Sequence, residues 1–90
     1  MTKYTILTTK QFDVSFKKLD NSVKKQIKHW IDKHLSNSND PKVYGKPLSA
    51  NKKGYWRYRV GDYRIIAEIS DRKLVLIMIN IGHRSSIYID

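Results

Sequence analysis

Cysteine is missing from this 90-residue chain. Disulfides, thiolate zinc sites and a thiol nucleophile are therefore excluded. Carboxylates are scarce: eight acids stand against eighteen Lys and Arg, and only Glu68 among them is a glutamate. A two-metal nuclease needs acids clustered around Mg²⁺, and the seven aspartates are scattered instead. The four glycines form no phosphate loop of the P-loop or dinucleotide type, so no cofactor is expected. The longest apolar run, "LVLIMINIG", is too short to span a bilayer. The opening "MTKYTILTTKQF" lacks the apolar core of a signal peptide. A cytoplasmic protein without a membrane partner is expected, with residues 1–90 forming a single domain.

What the chain has in abundance is positive charge, a formal +10. Such a surface attracts polyanions. Nucleic acid is the first candidate partner and an acidic protein the second. A membrane surface ranks third, because the lysines are spread over many segments.

"KYTILTT" (Lys3 to Thr9) alternates and carries β-branched residues, which predicts a strand. Thr8 and Gln11 have the spacing of a capping box. Phe12, Phe16 and Leu19 then recur at helical spacing, and "LDNS" breaks the helix. Asp20 or Asn21 can cap a second helix, from about Ser22 to Leu35, with the apolar stripe Val23, Ile27, Trp30, Ile31 and Leu35. Residues 36–54 are polar and punctuated by Pro and Gly, a loop long enough to suggest function or mobility. Three strands follow: Tyr55 to Val60, Tyr63 to Ile69 and Lys73 to Ile81. Gly61-Asp62 joins the first two as a primed-type hairpin turn, and Asp71-Arg72 marks the next turn. The last strand is apolar on both faces, as a central strand is.

Side chains alternate across a strand. Trp56, Tyr58 and Val60 share one face, Arg57 and Arg59 the other. A two-residue turn pairs Val60 with Tyr63 and Arg59 with Arg64, so all three arginines share a face while the aromatic residues face the helices. Directly opposed like charges on a sheet are destabilising. Solvation would explain one exposed arginine; three on one face point to recognition of an anion by guanidinium. Glu68, on the same face, offers partial internal compensation.

"GHRSSIY" places His83, Arg84 and Tyr88 after the central strand, at the end of a strand adjoining the arginine face. His29 and His34 lack the spacing of a helical zinc pair and read as surface or boundary residues. His83 is the one histidine outside the helices, and histidine is the side chain type best suited to acid–base work near neutral pH. Tyr88 can pack, reach a phosphate or stack on a base. This inventory fits chemistry on RNA without a metal. The 2′-OH of RNA can attack the adjacent phosphate if the protein supplies a base, cations for the developing charge, and an acid for the leaving oxygen.

"KPLSANKKGYWRYRVGDYRIIAEI" and "IGHRSSIY" resemble two blocks of the RelE-type toxins of the RelE/ParE superfamily. The second block is similar to that family's C-terminal G-H-R-x-x-x-Y signature. The resemblance implies an α+β fold, β-α-α-β-β-β, with a helical hairpin packed on one face of a mostly antiparallel four-stranded sheet. It implies a type II toxin that cleaves mRNA in the ribosomal A site, with the ribosome (rRNA and A-site mRNA) and a RelB- or DinJ-like antitoxin as partners and no small-molecule cofactor. Carried over to this sequence, Arg57 and Arg59 occupy the places of basic strand residues, lysines in some members, one of which helps activate the 2′-OH in those members. Arg64 matches the phosphate-stabilising arginine. Arg84 matches the arginine acting at the leaving group or phosphate, and Tyr88 the substrate-stacking tyrosine. Arginine is a poorer general base than lysine, because its pKa exceeds about 12. His83 is the residue that can compensate.

Two rival readings share these features. A ParE-like toxin would inhibit DNA gyrase without cleaving anything, on the same fold. A non-catalytic RNA-binding module would need little beyond the charge.

Overall fold

A computed structural model describes residues 3–36, 38–48 and 54–85. The first strand, β1 (Thr5–Thr8), leads into helix α1 (Lys10–Lys17). Thr9 caps this helix, its hydroxyl accepting the Phe12 N–H at 3.1 Å. The cap is thus one residue later than the Thr8–Gln11 spacing suggests. The Thr9 hydroxyl also donates to the Ile79 carbonyl at 2.7 Å, which ties the start of the helix to the sheet. Asp20 is the N-cap of α2 (Asn21–His34) by backbone conformation, without a side-chain capping bond.

The hairpin behaves as its sequence demands. Strands β3 (Tyr55–Val60) and β4 (Tyr63–Ser70) pair antiparallel, with Val60 opposite Tyr63, Arg59 opposite Arg64 and Arg57 opposite Ile66. Gly61 has a φ of 60°, and Asp62 is not among the residues with positive φ. Positive φ at the first turn position alone is the pattern of a type II′ turn. A Cβ at Gly61 would also stand 3.0 Å from the Gln26 amide nitrogen. Strand β5 (Val75–His83) pairs antiparallel with β4 and parallel with β1.

The sheet has five strands rather than four, in the order β1-β5-β4-β3-β2. The addition is β2 (Lys46–Pro47), inside the segment that reads as loop. Two residues with a terminal proline carry too little strand pattern to be legible, and tertiary pairing with β3 makes the strand. A 3₁₀ turn, Pro41–Tyr44, precedes it. β5 is an inner strand, as its two-sided apolar sequence requires.

One face of the sheet and the inner faces of both helices form the core. Phe12, Ile27, Leu35, Tyr58, Val60, Ile65, Ala67, Leu76, Met78 and Ile81 are buried there. Truncating a fully buried aliphatic residue such as Ile65 to alanine costs about 2–5 kcal/mol, a large share of a small domain's stability. Tyr58 is buried with its hydroxyl donating to the Pro41 carbonyl at 2.8 Å. Burial raises its pKa, since the phenolate would lose its hydration. No helix among the described residues is long and apolar enough to cross a membrane.

Candidate active site

β2 lies antiparallel to β3 with Lys46 opposite Arg57. Cross-strand partners share a face, so Lys46 joins the arginines on the side of the sheet away from the core. The turn before it forms a wall. Val43, Tyr44, Gly45, Lys46, Arg57, Arg59 and Arg64 together line a cleft of about 260 Å³. Arg57 and Arg64 are half-buried and Arg59 is exposed. Four cations and no carboxylate line this space.

Gly45 makes that wall possible. A Cβ there would meet Tyr58 Cε1 at 2.8 Å and the Arg57 carbonyl oxygen at 2.9 Å. Glycine lets the backbone turn tightly against buried Tyr58 and then run beside β3. The segment is also tied down from outside. Lys42 donates to Asp71, its ammonium lies 5.6 Å from the centre of the Trp56 ring, and the Tyr4 hydroxyl donates to the other Asp71 oxygen at 2.6 Å. The Lys42 hydrogen bond, then that from Tyr4, holds the Asp71 carboxyl below its ordinary range. The Asp71 contact in turn pushes the Tyr4 phenol up to about 12.

Lys42–Asp71 is the only ion pair among the described residues. Glu68 stands opposite Tyr55, on the same side as the arginines, and pairs with none of them. The compensation that its position suggests is therefore not realised as an ion pair. Among the described residues no three of His, Asp or Glu converge as a metal site.

His83 occupies a different place from the one alternation suggests. It stands opposite Tyr63, on the core side of the sheet, and the two rings meet edge-on at 5.5 Å. A bulge is the cause. Ala67 pairs with Met78 but Ile66 pairs with Asn80, so Ile79 is an extra residue in β5. Met78 and Ile81 are both buried, three positions apart rather than two. The parity of the strand flips there, and His83 moves to the Ile81 side. It therefore does not adjoin the arginine cleft.

The His83 imidazole shapes the turn that follows. The Ser85 N–H donates to Nδ1 at 3.2 Å, and the Ser85 hydroxyl lies 2.7 Å from the same nitrogen. A backbone N–H can only donate, so Nδ1 is the acceptor in this contact. Arg84 lies between these residues. Its N–H donates to the Asp62 carbonyl at 2.8 Å, fixing the chain to the hairpin tip. Its backbone is two residues beyond Gly82, the partner of Arg64. Tyr88 lies outside the described residues.

The site thus unites Arg57, Arg59 and Arg64, separates His83 from them, and adds Lys46, Val43 and Tyr44. Those three do not stand out in the sequence. The available signal is the unusual length of the loop and the "VYGKP" within it, an aromatic residue and a lysine flanking glycine.

The model of the ParE toxin of type II toxin–antitoxin systems matches residues 6–88. A toxin–antitoxin complex, RelBE2 from Mycobacterium tuberculosis, contains a chain 26% identical to this one, with a TM-score of 0.81 and coverage of 96% of this chain and 97% of that one. The RelB–RelE complex from Methanococcus jannaschii has a chain 30% identical, with a TM-score of 0.71 and coverage of 91% and 94%. YafQ from E. coli, 24% identical with a TM-score of 0.68 and coverage of 93% and 97%, shares the fold. Among curated proteins none matches significantly. The chain belongs to the RelE/ParE superfamily of type II toxins.

Proposed function

We propose that this toxin is a ribosome-dependent, metal-independent mRNA endoribonuclease that acts in the cytoplasm on A-site mRNA. The observation that carries the reading is the cleft with three arginines and a lysine, none ion-paired among the described residues. A fixed cluster of unneutralised cations is suited to an oxyanion that gains charge in the transition state. In the reaction the 2′-oxygen loses its proton and bonds to phosphorus, while the bond from phosphorus to the 5′-oxygen breaks and that oxygen takes up a proton from water. The products are a 2′,3′-cyclic phosphate and a 5′-hydroxyl.

Arg64, with Arg57 or Arg59, holds the non-bridging phosphate oxygens. The second strand arginine lowers the cost of the developing 2′-oxyanion. Arg84 stabilises the phosphate or leaving oxygen from the hairpin tip, and Tyr88 stacks on the substrate. His83 acts as a positioning residue, holding the turn that carries Arg84. The proton acceptor is then an arginine-assisted water or a group on the ribosome. The partner that silences the toxin is a RelB-like antitoxin with an acidic segment that covers the cations. The RelB chains in the relatives' structures support this assignment, and opposite charge speeds capture.

A second reading, inhibition of DNA gyrase, is favoured by the ParE designation of the matching family model. Brief expression in bacteria followed by mapping of new mRNA 5′ ends separates the two. Cuts inside translated frames are expected. Intact mRNA accompanied by DNA-damage signals would replace the nuclease reading with the gyrase one.

A further inference from the structure

The cleft has two chemically different sides. Its floor is cationic, but part of its wall is apolar and open: Val43 is 68% exposed and Tyr44 45%. Large apolar groups left in solvent beside a phosphate-sized cluster of cations call for a ligand with both characters.

Tyr44 is also held in place. Its ring meets His34 edge-on at 4.9 Å, His34 leans on Trp30 at 4.7 Å, and Trp30 packs on Tyr58 at 5.6 Å. Tyr58 returns through its hydroxyl to the carbonyl of Pro41, the first residue of the turn that carries Tyr44. This is a closed circuit from the buried core to the cleft wall and back. The His34 Nδ1 donates to the Trp30 carbonyl at 3.1 Å, which fixes the middle ring. An aromatic ring braced in this way loses little freedom on binding, so stacking on it is retained as affinity.

We infer that Tyr44, with Val43 beside it, forms a nucleobase subsite. It receives a base of single-stranded RNA next to the phosphate held by Arg57, Arg59 and Arg64. The cleft is comparable in size with one nucleotide, and its two sides match a nucleotide's flat apolar base and anionic phosphate. A single strand is required because bases in a duplex have both faces covered. The inference rests on the RNA reading above and adds a recognition element that Arg64 and Arg84 do not supply.

The test is a binding series with a non-cleavable 2′-O-methyl RNA hexanucleotide, in which each position in turn is made abasic. Removal of one particular base should weaken binding by roughly 5- to 150-fold, the usual value of one base–aromatic stack. That penalty should vanish in Tyr44→Ala and persist in Tyr44→Phe and Tyr44→Trp. A 2-aminopurine at that position should lose fluorescence on binding to the native protein but not to Tyr44→Ala. Arg64→Ala should weaken all the oligonucleotides alike. If Arg64→Ala does so but no abasic penalty depends on Tyr44, the base subsite is wrong and the RNA reading stands. If no oligonucleotide binds in an Arg64-dependent way, the base subsite is wrong, and cleavage on programmed ribosomes by the native protein and by Arg64→Ala decides the RNA reading separately.

Discussion

Arg59 and Arg64 stand directly opposite each other across β3 and β4 on the open face of the sheet, and neither is ion-paired to a carboxylate among the described residues. Like charges in opposed positions destabilise a sheet by about 0.2–1 kcal/mol, a cost that an anion bound between them would offset.

Arg64→Gln should therefore raise stability while removing toxicity. The expected gain is about 0.2–1 kcal/mol in denaturant unfolding. The expected loss in cleavage on programmed ribosomes is on the order of 10²–10³, typical of removing one charge-stabilising donor. A variant that is destabilised yet fully toxic would contradict both halves.

His83 separates positioning from proton transfer. Its Nδ1 accepts from Ser85, and an asparagine can offer an acceptor at a similar place whereas alanine cannot. His83→Ala should slow cleavage, and His83→Asn should restore most of the rate. Neither should alter the shape of the rate profile between about pH 5.5 and 7, where an ordinary imidazole titrates. Loss of a pH-dependent rise in both variants would make His83 the general base after all.

Gly45 tests the cleft wall. Gly45→Ala brings a methyl group to 2.8 Å from the Tyr58 ring and 2.9 Å from the Arg57 carbonyl. Neither obstacle is the flexible end of a side chain. Overpacking of this kind costs about 1–3 kcal/mol, and displacing β2 should carry Lys46 out of register with Arg57. Thermal unfolding and the affinity for single-stranded RNA should both fall. Unchanged RNA affinity would remove Lys46 and its strand from the site.

The Tyr4–Asp71–Lys42 cluster predicts how stability varies with pH. The folded pKa of Asp71 is depressed, so its contribution is present above the ordinary carboxylate value and is lost as pH falls through the folded one. Tyr4 is raised from 10.0 to about 12, so its contribution is intact below pH 10 and lost as pH rises toward 12. Asp71→Asn should flatten both ends of the thermal stability profile. Persistence of the alkaline loss in this variant would show that Tyr4 does not depend on Asp71.

The arginine register is legible in the sequence because it rests on local rules. Two-residue periodicity and a Gly-Asp turn suffice to place Arg57, Arg59 and Arg64 on one face and Trp56, Tyr58 and Val60 on the other. The helices are legible from apolar spacing, with the first cap displaced by one residue to Thr9. β2 is not legible: Lys46 and Pro47 have no periodicity of their own and become a strand only where Gly45 lets the chain press against Tyr58. Tyr44 and Val43 read as loop residues for the same reason.

By itself, then, the sequence determined the order of the main helices and strands, the cationic face and the pairing of the central hairpin, since each follows from residues near one another in the chain. Only the tertiary structure decided which other residues share that face. β2 added Lys46 from the far side of a loop. The extra residue Ile79 reversed the parity of β5 and turned His83 toward Tyr63. Alternation counts residues correctly only while the ladder is unbroken, and a bulge is set by how two strands fit together, which neither strand's sequence records alone.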